Sequence, residues 1–337
     1  MDIRAALART VAQHSLSETE MEAVMRQLMA GEATPAQIGA FLVALRMKGE
    51  TVGEITGAVR AMRALAAPLR LRSTTVVDTC GTGGDLCGTF NISTAAALVA
   101  AGAGIVVAKH GNRAVSGTVG GADVLESLGV KIDLPPEQVA RCVDEVGIGF
   151  LFAPLFHPAM RHAAAPRREL GLRTIFNLLG PLSNPAGARH QIVGVFAAEW
   201  TEPLAQALGR LGSIHTLVVH GDDGLDEISL AAPSHIAEWK DGGVRSYRIA
   251  PEEFGVQRCR ASDLHGGDRD RAAGIIRSIV GGAAGPRTDI AVLNAAAAIY
   301  VGGLAPSIAA GVDLARDAVA SGRARRKLEQ LIEFTNR

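Results

Sequence analysis

A glycine-rich segment between a β-branched run and an alanine-rich run constrains the fold of this chain more than any other feature. Residues 74–78 read TTVVD, the cluster GTGG follows at 81–84, and NIST at 91–94 begins a predicted helix that runs to about residue 101. Residues 104–108 read GIVVA and predict the next strand. A strand, a helix and a second strand in this order form a unit whose strands pair in parallel, with helices on the sheet faces. We therefore expect an α/β fold with a mostly parallel central sheet.

The first seventy residues carry helix signals instead. Ser17 with Glu20 and Thr51 with Glu54 have the spacing of capping boxes, and Thr34-Pro35 is a typical helix start. These three helix starts lie close together in the sequence, so the loops between the helices are short. The first seventy residues therefore predict a small helical unit.

An apolar stripe, Ile38, Phe41 and Leu45, recurs at helical spacing in the second of these segments. It suits a dimer surface and equally suits a core.

The changes of pattern along the chain predict two domains. Residues 135–179 return to helix and loop character, whereas 191–196 and 216–220 are strand-like and 234–248 indicates a small β excursion. We expect a helical domain at 1–72, joined by a discontinuous contribution from about 133–188. The α/β domain is expected at 73–132 and 189–337.

Composition limits the classes of partner. Lys plus Arg and Asp plus Glu both number 34 among 337 residues, so the chain has no overall positive charge to attract nucleic acid or anionic lipid. The apolar stretch 295–312 contains Gly302, Gly303 and Pro306, which favours a buried helix pair over a membrane span. Four scattered cysteines without metal-binding spacing are typical of free thiols in a reducing compartment. We expect a soluble, cytoplasmic protein that binds neither nucleic acid nor membrane.

The glycine cluster predicts a phosphate site. Glycine allows positive φ and lets a phosphate approach backbone N–H groups, and the helix start after it offers further N–H groups and the positive end of the helix dipole. The loop matches neither GxGxxG nor the P-loop pattern. The alternative is a tight strand-to-helix turn that binds nothing.

Two further polar clusters follow predicted strands. KHGNR at 109–113 ends the second strand, and ligands of open parallel sheets bind beyond the carboxyl ends of strands. Residues 221–229 read GDDGLDEIS, a carboxylate-rich loop whose oxygens suit Mg²⁺ bound together with a substrate phosphate. A solvated loop and an ordinary acidic turn are the respective alternatives.

Arg167 has the chemistry to bind a substrate carboxylate through its forked guanidinium, but a surface ion pair is equally compatible with its position. His157 precedes a proline, and a ring satisfied at a helix entry is favoured over the alternative, a role as a ligand.

These motifs in this order resemble the anthranilate phosphoribosyltransferase family, whose class includes the pyrimidine nucleoside phosphorylases. The resemblance covers nearly the whole chain and rests on five intact motifs: GTGGD at 81–85, TFNIST at 89–94, KHGNR at 109–113, RTIFNLLGPLSNP at 173–185 and GLDEIS at 224–229.

The resemblance implies transfer of the phosphoribosyl group from phosphoribosyl pyrophosphate to anthranilate with release of pyrophosphate, the second step from chorismate to tryptophan. It implies a homodimer and Mg²⁺, with two ions per subunit and Ser93, Asp226 and Glu227 as ligands. The implied anthranilate contacts are Gly81, His110, Asn112 and Arg167. The implied phosphoribosyl pyrophosphate contacts are Gly81, Gly84, Asp85, Thr89, Asn91, Ile92, Ser93, Thr94, Lys109, His110, Gly111, Asn112, Arg113, Ala114, Val115, Ser116, Gly117 and Gly121.

Two positions depart from the family pattern. Leu86 stands where a small residue often follows GTGGD, and Gly121 replaces a common serine. Two rival functions remain: a pyrimidine nucleoside phosphorylase, and a non-catalytic nucleic-acid-binding relative of the same fold. The acidic pair and the intact KHGNR favour the transferase over the first, and the balanced charge disfavours the second. No residue is assigned as a general acid or base, because an aromatic amine is already neutral at pH 7.

Overall fold

The computed structural model describes residues 1–84, 87–114 and 119–337, in which a helical unit lies beside a seven-stranded sheet. The strands are β1 Val77–Gly81, β2 Val107–Gly111, β3 Ile148–Phe152, β4 His190–Gly194, β5 His215–Gly221, β6 Ser234–Lys240 and β7 Gly243–Ile249. The helices are α1 Ile3–Val11, α2 Glu18–Ala30, α3 Pro35–Lys48, α4 Val52–Ala64, α5 Ile92–Ala103, α6 Gly121–Ser127, α7 Pro136–Val146, α8 Ala153–Phe156, α9 Arg161–Leu170, α10 Ile175–Leu182, α11 Thr201–Arg210, α12 Arg269–Val280, α13 Pro286–Val301, α14 Ile308–Ala320 and α15 Arg323–Thr335.

The sheet has the order β3-β2-β1-β4-β5-β6-β7. The first five strands in this order pair in parallel, and β6 and β7 add an antiparallel hairpin at one edge. The predicted α/β class with a mostly parallel sheet is confirmed. Because β1 lies between β2 and β4, the chain leaves the centre of the sheet in opposite directions, and ligands of such sheets bind at that point.

The N-terminal helices begin where their caps predict. The side chains of Ser17 and Thr51 each accept a hydrogen bond from the backbone N–H of the residue three positions later. That residue is a glutamate in both cases, and its carboxylate accepts a hydrogen bond from the backbone N–H of the capping residue. Ile38, Phe41 and Leu45 are fully or almost fully buried, so the apolar stripe serves the core of this unit.

Helices α9 and α10 pack against the N-terminal helices, and α10 also contacts the sheet, where Gln191 of β4 donates from Nε2 to the carbonyl oxygen of Pro181 at 3.0 Å. Ala163 and Leu179 share a buried apolar cluster with Leu28 and Phe41. The Arg63 side chain donates from Nε to the carbonyl oxygen of Leu182 at 2.8 Å, which ties α4 to the end of α10. As a result, two helices from the middle of the chain lie opposite the carboxyl ends of the strands.

Three strand predictions need correction. The first two strands lie three residues later than predicted, so Lys109, His110 and Gly111 belong to β2 itself. The strand β3 falls in a region that was predicted to be helix and loop. Its sequence, IGFLF, is a short apolar run, and such a run does not distinguish a buried strand from a helical turn.

None of the helices in the described parts of the chain combines the length and apolar character needed to cross a membrane.

Candidate active site

A cavity of about 840 Å³ lies where the sheet and the helical unit meet. One side is formed by the last residues of β1 and β2, by the residues that follow β1, β2 and β5, and by the start of α5; we call it the strand-end half. The other side is formed by residues of α8, α9, α10 and the turns between them, together with the His110 ring, which comes from β2 and meets His157 there; we call it the helical half. The volume is that of a small-molecule site.

Most of the predicted site residues come together around this cavity. Those that line it are Gly81, Gly84, Thr89, Asn91, Ile92, Ser93, Lys109, His110, Gly111, Asn112, Arg113, Ala114, Gly121, Arg167, Asp226 and Glu227. Thr94 is buried and is not among the lining residues. Asp85, Leu86, Val115, Ser116 and Gly117 lie outside the described residues.

The glycine loop and the acidic loop are in direct contact. The backbone N–H of Gly83 donates to Oδ2 of Asp226 at 2.8 Å. A methyl group on Gly81 would stand 2.5 Å from the same oxygen, and one on Gly194 would overlap the backbone oxygen of Asp226. The two loops approach this closely only because glycine ends both β1 and β4.

The start of α5 joins the same cluster. The backbone N–H of Ser93 donates to Oε1 of Glu227 at 3.0 Å, and the Lys109 ammonium donates to Oγ of Ser93 at 3.1 Å. Lys109 also donates to the carbonyl oxygen of Thr79 in β1. The predicted metal ligands and the predicted phosphate-binding lysine therefore form one connected group.

Lys109 is a buried cation. Burial lowers the pKa of Lys109, while the carboxylates of Asp78, Glu227 and Asp226 act in the opposite direction. Burial likewise raises the pKa of Asp78, which lies beneath the site and accepts a hydrogen bond from the backbone N–H of His110 at 3.1 Å. An anion in the cavity would compensate the lysine charge that this environment disfavours.

Two predicted contacts have their side chains engaged elsewhere. Arg113 forms ion pairs with Asp123 at 3.0 Å and with Glu126. The Oδ1 atom of Asn112 accepts a hydrogen bond from the backbone N–H of Arg113 at 2.8 Å, which shapes the turn after β2.

The helical half contains two neutral histidines. The rings of His110 and His157 meet edge to face, with centroids 5.2 Å apart. Burial lowers the pKa of His110 to about 3 and that of His157 to about 4. Both Nε2 atoms are buried without a hydrogen-bond partner among the described residues, whereas the His157 ring also bonds to the backbone of Ser183, so the ring that was expected to be satisfied is satisfied at one of its two nitrogens. Two unprotonated imidazoles provide hydrogen-bond acceptors beside a ligand.

Arg167 lies on an aromatic ring. Its guanidinium carbon is 4.9 Å from the ring centroid of Phe176, and burial lowers the pKa of Arg167. A stacked guanidinium has a fixed plane, and its edge can form paired hydrogen bonds with a carboxylate.

The donor set fits Mg²⁺ bound together with a ligand. No three His, Cys, Asp or Glu side chains in the described part of the chain form a metal-holding group. Asp226 and Glu227 are two carboxylates that line one wall with the Ser93 hydroxyl, and Mg²⁺ uses one or two carboxylates with substrate phosphate oxygens and water. The residues fit an ion that the substrate helps to hold.

Sequence reasoning missed several residues that line or shape this cavity. Phe176 and Arg173 belong to the RTIFNLLGPLSNP motif, but no role was predicted for either. Met160 and Ala164 line the helical half from α9 and its preceding turn. These residues reach the cavity because their helices fold back over the strand ends. Residue spacing does not reveal that placement, so the sequence offered no signal for them.

Two family models match the chain. The helical bundle domain of a glycosyl transferase family matches residues 4–66, and the a/b domain of a glycosyl transferase family matches residues 73–325. An anthranilate phosphoribosyltransferase of Thioalkalivibrio sulfidiphilus is 56% identical over 335 residues, which cover 99% of both chains. The chain belongs to the anthranilate phosphoribosyltransferase family.

Solved structures of the family share the fold. The anthranilate phosphoribosyltransferase of Thermus thermophilus superposes with a TM-score of 0.93 at 46% identity, covering 98% of this chain and 99% of that one. The enzyme of Saccharomyces cerevisiae in complex with phosphoribosyl pyrophosphate and Mg superposes with a TM-score of 0.91 at 26% identity, covering 99% and 98%. Another structure of the yeast enzyme contains 4-fluoroanthranilate.

Proposed function

We propose that this chain transfers the 5-phosphoribosyl group of phosphoribosyl pyrophosphate to the amino nitrogen of anthranilate, in tryptophan biosynthesis. The bond between the sugar C1 and the pyrophosphate oxygen breaks, a C1–N bond forms, and the amine loses one proton. One observation carries the proposal: a single cavity brings an anion-binding strand-end half against a helical half of neutral imidazoles and a stacked arginine.

The strand-end half is proposed to bind phosphoribosyl pyrophosphate. Backbone N–H groups of the glycine loop and of the first turn of α5 suit phosphate oxygens. The buried Lys109 charge lies beside them and would stabilise the negative charge that develops on departing pyrophosphate.

Magnesium dependence is part of the proposal. Ser93, Asp226 and Glu227 are proposed to hold two ions together with pyrophosphate oxygens. Bound Mg²⁺ would neutralise charge on the leaving group. The structures of the yeast enzyme that contain Mg support the choice of metal.

The helical half is proposed to bind anthranilate. The fork of Arg167 suits the carboxylate, and the unpartnered Nε2 atoms of His110 and His157 suit the amino N–H groups. The oxocarbenium-like state of the sugar requires positioning more than a strong base. No general base is assigned for that reason.

The domain division and the oligomeric state are also proposals. We assign a helical domain to 1–72 with a contribution from about 133–188, and the α/β domain to the remainder.

We propose a homodimer that covers Val11 and Met47, two exposed apolar side chains at the ends of α1 and α3. Sedimentation equilibrium tests it, and a monomer at micromolar concentration would contradict it.

The test of function follows the fluorescence of anthranilate after mixing with phosphoribosyl pyrophosphate, with and without Mg²⁺. Fluorescence loss that requires Mg²⁺ and releases pyrophosphate is the expected result. Phosphate-dependent cleavage of uridine or thymidine without such loss would instead identify a nucleoside phosphorylase.

A further inference from the structure

An arginine from the helical unit reaches across to the glycine loop. Arg173 lies in the turn between α9 and α10, and its Nη2 donates to the carbonyl oxygen of Gly84. Its guanidinium carbon is 4.4 Å from the ring centroid of Phe196, which follows β4. The cation is thus fixed in plane by a ring and in direction by a loop carbonyl.

The other described residues of this loop are held as well. The N–H of Thr82 donates to the carbonyl oxygen of Gly194 at 2.9 Å, and its hydroxyl accepts from the N–H of Phe196 at 3.1 Å. Gly83 donates to Asp226. These contacts come from the sheet side, whereas the contact at Gly84 comes from the helical unit.

The loop needs such contacts because of its composition. Gly83 and Gly84 have φ values of 65° and 75°, which glycine adopts at no steric cost. Glycine also has the largest conformational freedom to lose when a loop is ordered. A contact that orders the loop before the ligand arrives raises affinity for that ligand.

We propose that Arg173 is a positioning residue for phosphoribosyl pyrophosphate. It holds the glycine loop through Gly84 and adds a positive charge beside the phosphate site, while Phe196 keeps the guanidinium in plane. This inference rests on the function proposed above. It separates Arg173 from Arg167, which lies six positions earlier on a different ring and serves the opposite half of the cavity.

The separation predicts an effect on one substrate only. Arg173→Gln is expected to raise both the KM and the Kd of phosphoribosyl pyrophosphate at least about tenfold, the low end for a lost charged hydrogen bond. The KM of anthranilate should stay within about twofold. Arg173→Lys should recover part of the loss, because it keeps the charge but neither the fork nor the stacked plane.

The experiment varies each substrate in steady-state kinetics and measures binding of phosphoribosyl pyrophosphate with Mg²⁺ by calorimetry without anthranilate. Arg168→Gln is the matched control, since it removes the same charge from an exposed position of α9. The control should behave like the unmodified chain. Thermal unfolding of each variant reports whether the fold has changed.

Phosphoribosyl pyrophosphate is the donor substrate. If its affinity is unchanged in Arg173→Gln, the inference is overturned. The same holds for an equal rise in the KM of both substrates, which is what a general structural role produces. If Arg173→Gln does not fold, Arg173→Lys and Phe196→Leu decide: each should weaken donor binding at least about threefold. Donor affinity equal to that of the unmodified chain in both variants would overturn it.

The inference and the proposed function fail in different ways. An unmodified chain that binds phosphoribosyl pyrophosphate but does not consume anthranilate contradicts the function, and the Arg173 effect on binding can still be measured. If the unmodified chain is active but its affinity for phosphoribosyl pyrophosphate does not change when Arg173 is replaced, only the inference is contradicted.

Discussion

The two halves of the cavity use different materials. The strand-end half is made of backbone N–H groups, a buried lysine and two carboxylates, and hydrogen bonds link these groups to one another. The helical half is made of two neutral imidazoles and one arginine stacked on a ring. The first half is suited to a highly charged ligand, and the second to a flat ligand with a single charge. One cavity thereby offers two chemically different surfaces, one drawn from strand ends and the other drawn mainly from helices.

The largest expected effect comes from removing a charge from the strand-end half. Asp226→Asn keeps an oxygen for the Gly83 N–H but loses the carboxylate that is proposed to bind metal. At limiting Mg²⁺ we expect kcat/KM to fall about a hundredfold or more.

The control for this variant is Asp222→Asn, in the same loop. Asp222 is exposed and pairs with Arg248. A magnesium titration of both variants and the unmodified chain checks the prediction. Equal activity in all three proteins at limiting Mg²⁺ would show that Asp226 does not bind the metal.

The contact between the two loops of the strand-end half is the next test. In Gly194→Ala the new methyl group overlaps the backbone oxygen of Asp226, so main chain must move. We expect the free energy of unfolding to fall by about 1–3 kcal/mol and the KM of the donor to rise. Chemical denaturation and kinetics measure the two effects.

Gly39→Ala provides the matched control, because a methyl group there meets open space on α3. It should be neutral or slightly stabilising. A Gly194→Ala variant as stable and as active as this control would show that the loops do not need their close approach.

The neutral histidines of the helical half predict a pH dependence of stability. The pKa of His110 is lowered to about 3 and that of His157 to about 4 in the fold, whereas an unfolded histidine titrates near about 6.5. As the pH falls from about 6.5 to 4, the unfolded chain takes up protons that the folded chain does not. Each histidine therefore lowers the free energy of unfolding by up to about 1.4 kcal/mol per pH unit over that range.

His157→Gln tests this sign, since glutamine does not titrate. Its stability should fall less steeply with acid than that of the unmodified chain, while the exposed His14→Gln should keep the original slope. Denaturant unfolding at several pH values measures the slopes. Parallel slopes for all three proteins would mean that His157 is protonated equally in both states.

The smallest effect is expected under Arg167. Phe176→Leu removes the ring that fixes the guanidinium plane but keeps the residue apolar. The KM of anthranilate should rise about three- to tenfold, the value of one partly buried cation–π contact, with the donor KM unchanged. A rise in the KM of phosphoribosyl pyrophosphate instead would show that the two halves do not bind separate substrates.

The strand-end half was largely predictable from the sequence, because it is built from contiguous motifs. Glycines after a strand, polar residues at the end of the next strand and an acidic pair after a third all meet at one sheet edge by the geometry of parallel strands. The error of three residues in β1 and β2 did not matter, since the motifs moved with the strands.

The helical half was less predictable. Apart from His110 of β2, its residues come from helices and turns whose packing on the N-terminal unit has no local signal in the sequence, and two histidines far apart in sequence give no sign that they are in contact. The unpartnered Nε2 of His157 was not predicted for this reason. Arg167 was left undecided from spacing, and only the ring beneath it distinguishes it from a surface arginine.

The order of the strands also affects how the chain is made. Val77 of β1 pairs with Val107 of β2, which follows soon after, but also with His190 of β4, which is synthesised much later. At roughly 5–20 residues per second, the ribosome needs several seconds or more to supply that second neighbour. Until then one edge of β1 has unpaired backbone groups, which are prone to associate with other chains. The nascent chain is therefore exposed to aggregation at the strand that later leads into the glycine loop.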